Sequence, residues 1–265
     1  MNEEKDVRIL YGAWISPYMS LVAQMLYESK IDFVYRRVSP FSAQIRSEDH
    51  YSRNALGKIP SFTDSNGVTI SESLAICRYL ARTNVSAHTY YPCNEPTKCA
   101  QVDTLTDFLT FSVGGPFFNW FVVGKHFPVA WKLKTNEESR IFALWSKMLV
   151  NGEVQRLLDA SEMSPFLLGT EPTIADFQLF YILEHGRTFS SMLDDSSFDM
   201  RLNNPMLMTF YDEMAGRSAT KQVLDRREEE YDENRKEYFE EMESGFSELI
   251  QGTRPLLESM FGHEI

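Results

Sequence analysis

Cysteine is scarce: Cys77, Cys93 and Cys99 are the three in 265 residues. They form no CxxC pair, and an odd number argues against a simple disulfide framework, so reduced thiols are expected. The five histidines, His50, His88, His126, His185 and His263, show no metal-ligand spacing, and no metal is expected. Cationic residues are also few, with 26 Lys and Arg against 38 Asp and Glu and a formal net charge of -12. That balance disfavours a nucleic-acid surface, because phosphate contacts need concentrated Lys and Arg. No stretch has the length and apolarity of a membrane span. The opening MNEEKDVRI is charged and runs straight into an apolar segment, without a secretory apolar region or cleavage site. A cytoplasmic location is therefore the expectation.

What is present is enough for a sizeable core: 43% of the chain is hydrophobic. Residues 7–11, VRILY, read as a short buried strand, and 33–37, FVYRR, as a second. Between them 17–29 reads as a helix, with Pro17 suited to the first turn and Leu21, Val22, Met25 and Leu26 on one face. Asn66-Gly67 is a tight-turn signal flanked by β-branched and apolar residues, which makes 60–64 and 67–70 a hairpin. A helix follows from Glu72. Strand, helix, strand, hairpin and helix give a mixed four-stranded sheet with helices on its faces. We place this unit at 1–84, a linker at 85–96 and an all-helical domain at 97–265. In the second domain, Thr173-Ile174-Ala175-Asp176 reads as a variant capping box. There Asp176 would accept from the Thr173 amide and the Thr173 hydroxyl would meet the Asp176 amide. Residues 225–243 read as a polar surface helix, with Tyr231, Arg235, Tyr238 and Met242 on one face, or as an extension ordered by a partner.

Three short stretches carry candidate chemistry. Pro60 stands where a strand begins. In the cis form it would turn the backbone N–H and C=O of Ile59 outward, where an extended peptide could take both. Glu72-Ser73 opens a helix, whose free N–H groups and hydroxyl favour a bound carboxylate, while Glu72 could pair with an ammonium. An α-amino-acid head group carries both charges; the alternative is an ordinary cap by Ser71 or Ser73. Ser16 precedes the helix beginning at Pro17. It reads as a cap, and its hydroxyl could also donate to a thiolate.

GAWISPY at 12–18, NALGKIPSFTDSNGVTISESLAICRYL at 54–80 and TIAD at 173–176 together resemble the cytosolic glutathione transferases. The SPY segment is similar to that of the serine-type tau class, and to the omega class, where Cys replaces the serine. The resemblance covers about residues 7 to 215. It implies a thioredoxin-like α/β domain followed by an all-helical domain, with glutathione as cosubstrate. It implies a cis Pro60, with Ile59 clamping the cysteinyl backbone. Glu72 and Ser73 would hold the γ-glutamyl end and Lys58 would reach the glycyl carboxylate. Ser16 would stabilise the thiolate that attacks an apolar electrophile, with Tyr11 at the end of the first strand as the competing hydroxyl. Trp14 and Phe41, with Phe117, Phe118, Trp120 and Phe121 beside a Gly-Gly-Pro break, would line the electrophile pocket; the other reading of these aromatics is core packing. A homodimer is the expected assembly. Detoxifying conjugation is the leading activity. The alternatives are a ligandin-like or scaffolding glutathione-binding protein, or a glutathione-dependent peroxidase or reductase.

Overall fold

A computed structural model describes residues 7–40, 42–117, 148, 150–159, 163–193, 196–202, 204–234 and 236. Strands β1 (Ile9–Gly12), β2 (Val34–Arg37), β3 (Ser61–Thr63) and β4 (Thr69–Ser71) form one sheet in the order β2-β1-β3-β4. β1 runs parallel to β2 and antiparallel to β3, and β4 is antiparallel to β3. The parallel pair needs a crossover, which α1 (Pro17–Glu28) supplies. The hairpin closes at Asp64–Gly67, where the Gly67 amide donates to the Asp64 carbonyl at 2.8 Å and Gly67 takes φ 82°. A left-handed φ favours glycine there.

Side chains alternate across the pleat. Leu10 and Phe62 are fully buried and pack with Leu21, Met25, Ile76 and Leu80 of α1 and α3 (Ser73–Thr83). Tyr11 lies on the opposite face, under the short helix α2 (Glu48–Arg53), with the Arg53 guanidinium 4.4 Å from its ring centroid. Between β2 and β3 the chain forms a 3-10 turn, Ala43–Arg46, followed by α2.

Beyond the 3-10 turn Val85–Ala87, the described chain is helical apart from turns and one isolated bridge between Phe166 and Gly169. Helix α4 (Pro96–Phe108) passes into a π-helical turn, Leu109–Gly114, which ends on the first glycine of the Gly-Gly-Pro sequence. Residues 150–159 are helical. The central helix Ile174–Leu193 is buried on every side for its first three turns and packs against α1, which joins the two halves of the molecule. Gly186 on this helix is forced by packing, since a Cβ there would lie 2.5 Å from the Phe198 carbonyl oxygen. Helix Pro205–Gly216 and helical residues 218–234 complete the described fold.

The capping box at the central helix is closed. Asp176 accepts from the Thr173 amide (2.8 Å), the Leu167 amide (2.8 Å) and the Thr173 hydroxyl (3.0 Å). The Thr173 hydroxyl accepts from the Ala175 amide at 3.3 Å, not from that of Asp176, whose N–H goes to the Thr173 carbonyl.

Candidate functional site at one end of the sheet

Register brings the three stretches together. Tyr11 faces Ser61 across β1 and β3, and Ser61 faces Ser71 across β3 and β4. The end of β1, the start of β3 and the end of β4 therefore share one edge of the sheet. Gly12–Ser16 leaves that edge into α1, Pro60 enters it, and Glu72–Ser73 leaves it into α3. Both helices begin there, so two sets of backbone N–H groups converge on one place.

The starts differ. Ser16 is the N-cap of α1 with extended backbone, and its hydroxyl accepts from the Met19 amide at 3.4 Å. That contact is long. Among the described residues the Ser16 hydroxyl donates to no group, so its proton is available. Glu72 holds the N-cap position of α3 at φ 68°, and no side chain caps that helix. The alternative of an ordinary cap by Ser71 or Ser73 is not what the chain adopts. A left-handed, non-glycine residue costs about 1–3 kcal/mol and commonly marks a functional position. The Glu72 carboxylate is exposed and has no hydrogen-bond or ion-pair partner among the described residues.

The Ile59–Pro60 peptide bond is cis, as the family resemblance implies. The preceding segment is built by two residues that the sequence reading passed over. Asn54 makes an Asx turn, accepting from the Leu56 amide at 3.0 Å and donating through Nδ2 to the Lys58 carbonyl at 2.8 Å. His50 Nε2 lies 3.1 Å from the same carbonyl and must carry the proton there. Burial lowers the His50 pKa. Gly57, at φ 59°, completes the turn. The Asn-x-x-Gly spacing was the available signal. The Lys58 side chain is left exposed beside Ile59.

Tyr18 is a further neighbour. Its hydroxyl lies 3.7 Å from the point a Cβ on Gly114 would occupy, so it reaches the π-helical turn of the second domain. Burial of that hydroxyl and the charge of Glu72 both raise its pKa. Tyr18 thus stands between the two domains, near enough to Glu72 to feel its charge.

The remaining candidates are dispersed. The Tyr11 ring is held beneath Arg53 on the α2 face. Trp14 is 3% exposed, with its ring centroid 5.3 Å from that of Tyr35. It borders a groove of about 1250 Å³ between the β2 edge and helix 218–234, which includes none of Lys58, Pro60, Glu72 or Ser73. Phe117 is buried against His185 in the helical domain. Trp14 and Phe117 are both buried in the hydrophobic core. Phe41, Phe118, Trp120 and Phe121 lie outside the described residues. No group of three or more His, Cys, Asp and Glu among the described residues could hold a metal ion, and no described helix is long and apolar enough to cross a membrane.

Residues 7–82 match the family model described as glutathione S-transferase, N-terminal domain. Two maize (Zea mays) proteins are similar to part of this chain. Glutathione S-transferase 1 is 35% identical over 75 residues, 28% of this chain and 35% of that protein, and glutathione S-transferase 4 is 34% identical over 73 residues, 28% and 32%. The match therefore spans about a third of the length of these curated relatives. The whole described chain has the glutathione transferase fold. The crystal structure of poplar glutathione transferase F1 superposes with a TM-score of 0.68 at 17% identity, covering 84% of this chain and 99% of that one. A glutathione transferase family member from Pseudomonas fluorescens, solved with two glutathione molecules bound, gives 0.68 at 20% identity, covering 84% and 94%. Ser16, Pro60, Glu72 and Ser73 all fall within the segment that matches this family model.

Proposed function

We propose that this protein binds glutathione at the common edge of β1, β3 and β4 and conjugates its thiolate to apolar electrophiles. The observation that carries the reading is the register itself. It aligns an uncapped helix start at Glu72–Ser73, a cis Pro60 and the Ser16 hydroxyl at one sheet end. The γ-glutamyl group has a carboxylate for the α3 amides and the Ser73 hydroxyl, and an ammonium for Glu72. Ile59 offers backbone groups to the cysteinyl residue, and Lys58 offers a cation to the glycyl carboxylate.

The Ser16 hydroxyl, which donates to nothing else described, gives its hydrogen bond to the sulfur. A free thiol ionises near pH 8.5. Lowering that by roughly two units requires about 2.7 kcal/mol. A hydroxyl bond to a charged acceptor supplies about 1.5–3 kcal/mol, and a helix start up to about 1 kcal/mol. The sulfur then attacks an electrophilic carbon: the S–C bond forms, and either the leaving group departs with its electron pair or the adduct takes up a proton. Ser16 is preferred to Tyr11 because the Tyr11 ring is engaged by Arg53 on the other face of the sheet. Tyr18 and the Gly114 turn form the described wall of the cleft in which the electrophile would sit. A cytoplasmic homodimer remains our expectation for the protein in the cell.

Ultraviolet difference titration with glutathione against pH tests this reading. A bound thiol ionising near pH 6–7, and returning toward its free value in Ser16→Ala with affinity retained, is the expected result. Binding without ionisation in the wild type would make the protein a glutathione-binding or scaffolding module instead. An unchanged titration in Ser16→Ala would transfer the role to Tyr11 or the backbone.

A further inference from the structure

The Gly12–Ser16 turn is not self-sufficient. Ala13 is fully buried and Trp14 nearly so, and water does not satisfy their backbone. Within the turn, the Ser16 amide donates to the Ala13 carbonyl at 2.9 Å. Trp14 depends on helix 218–234. The Trp14 amide donates to Glu230 Oε1 at 2.7 Å. The Trp14 carbonyl accepts from Arg227 Nη1 at 2.9 Å and from the Ser20 hydroxyl at 3.2 Å. Arg227 Nη1 also lies 2.9 Å from Ser20 Oγ and 3.4 Å from the Ile15 carbonyl. The other Glu230 oxygen accepts from the Tyr35 hydroxyl, which stands 3.1 Å from the Gly12 carbonyl.

Arg227 and Glu230 are three residues apart and both buried, on one helical face with Val223. Around Arg227, Glu184 of the central helix supplies the balancing negative charge, itself bound to Arg187 and Tyr211. Elsewhere the helix is anchored to α1: Gln24 Nε2 donates to the Thr220 hydroxyl at 3.0 Å, and Arg217 pairs with Glu28 at 2.6 Å. Two buried charges used on one peptide of one turn are expensive to retain for packing alone, because apolar residues of similar volume would fill the space at lower desolvation cost.

We propose that Arg227 and Glu230 are positioning residues for Ser16: together they grip the Trp14 peptide and fix the turn that delivers the hydroxyl to the glutathione sulfur. This rests on the proposed thiolate role of Ser16. Thiolate stabilisation depends on the placement of one O–H, and misplacement by an ångström can cost about a hundredfold in rate. Helix 218–234 thereby belongs to the site although no part of it need touch either substrate.

The test combines amide hydrogen exchange of the ligand-free protein with thiolate titration of its glutathione complex. Arg227→Met and Glu230→Gln are compared with Thr220→Val, a control on the same helix away from the turn. Arg227→Met is expected to speed exchange over 13–16, raise the bound thiol pKa by roughly one unit, which is tenfold in the ionisation constant, and lower kcat with little change in glutathione affinity. Arg227→Lys is expected to recover part of each. Glu230→Gln, nearly the same shape, carries the test if Arg227→Met does not fold. Thr220→Val is expected to lose stability with the thiol pKa unchanged. The proposal is overturned if exchange and thiol pKa stay at wild-type values in Arg227→Met or Glu230→Gln, or if Thr220→Val moves the pKa equally. If wild-type glutathione never ionises, the thiolate reading is what fails, and exchange over 13–16 still decides whether the two side chains hold the turn.

Discussion

Two helix starts in this molecule solve the same problem in opposite ways. At Thr173 the capping box is buried and filled, with Asp176 accepting three hydrogen bonds. At Glu72 the box is absent, the backbone is left-handed and the carboxylate points into solvent. The first arrangement stabilises the fold; the second sacrifices local stability and leaves the first N–H groups of α3 without a side-chain cap. Ser16 stands between them, a cap whose acceptor side is loosely used and whose donor side is open.

The comparison can be broken most strongly at the closed start. Asp176→Ala leaves the Leu167 and Thr173 amides buried without an acceptor, at about 1–3 kcal/mol each. Chemical denaturation should report a loss of roughly 2–6 kcal/mol, with glutathione affinity of the folded fraction unchanged. A loss under about 0.5 kcal/mol would show that the box is dispensable.

The same carboxyl makes a pH test. Burial raises the Asp176 pKa to about 6, against the hydrogen bonds it accepts. Unfolded, the group titrates near 3.9. Between these values the folded state holds the extra proton, so the Asp176 contribution is fully present below about pH 4 and is lost as pH rises through about 6. Relative to Asp176→Asn, whose side chain does not titrate, the wild type should lose stability across that window. Parallel profiles for the two proteins would contradict the assignment.

At the open start the signs separate. Glu72→Gly relieves the left-handed conformation and should gain about 1 kcal/mol of stability. Isothermal titration should show glutathione binding weakened about tenfold or more, through loss of the ammonium partner. Equal affinity in the variant would remove Glu72 from the head-group site.

The sequence was most readable where structure is local. Pro17 starts α1, and Asn66-Gly67 turns the hairpin, because each residue acts on its own backbone. The family motifs pointed to the edge at which Ser16, Pro60 and Glu72 meet, but the register needed the folded sheet. The segment read as a polar surface helix, 225–243, is helical over its described residues 225–234, and two of its charged residues are buried. The buried residues of helix 218–234 are Ala219, Thr220, Val223, Arg227 and Glu230, and a face that ends in two charges does not register as an apolar stripe. The expected face began at Tyr231, which is half-buried; Arg235, Tyr238 and Met242 lie outside the described residues. No local pattern could couple Glu230 to Trp14, 216 positions earlier.

That separation has a consequence for synthesis. The ribosome releases Trp14 long before Glu230, and at about 5–20 residues per second the interval is roughly 10–40 s. A nascent chain can form the sheet and hairpin during that wait, yet the turn carrying Ser16 stays open until the late helix closes over it. The first loop made is among the last completed, so a chain cut short before residue 227 carries every motif of its N-terminal domain without the grip that aligns them.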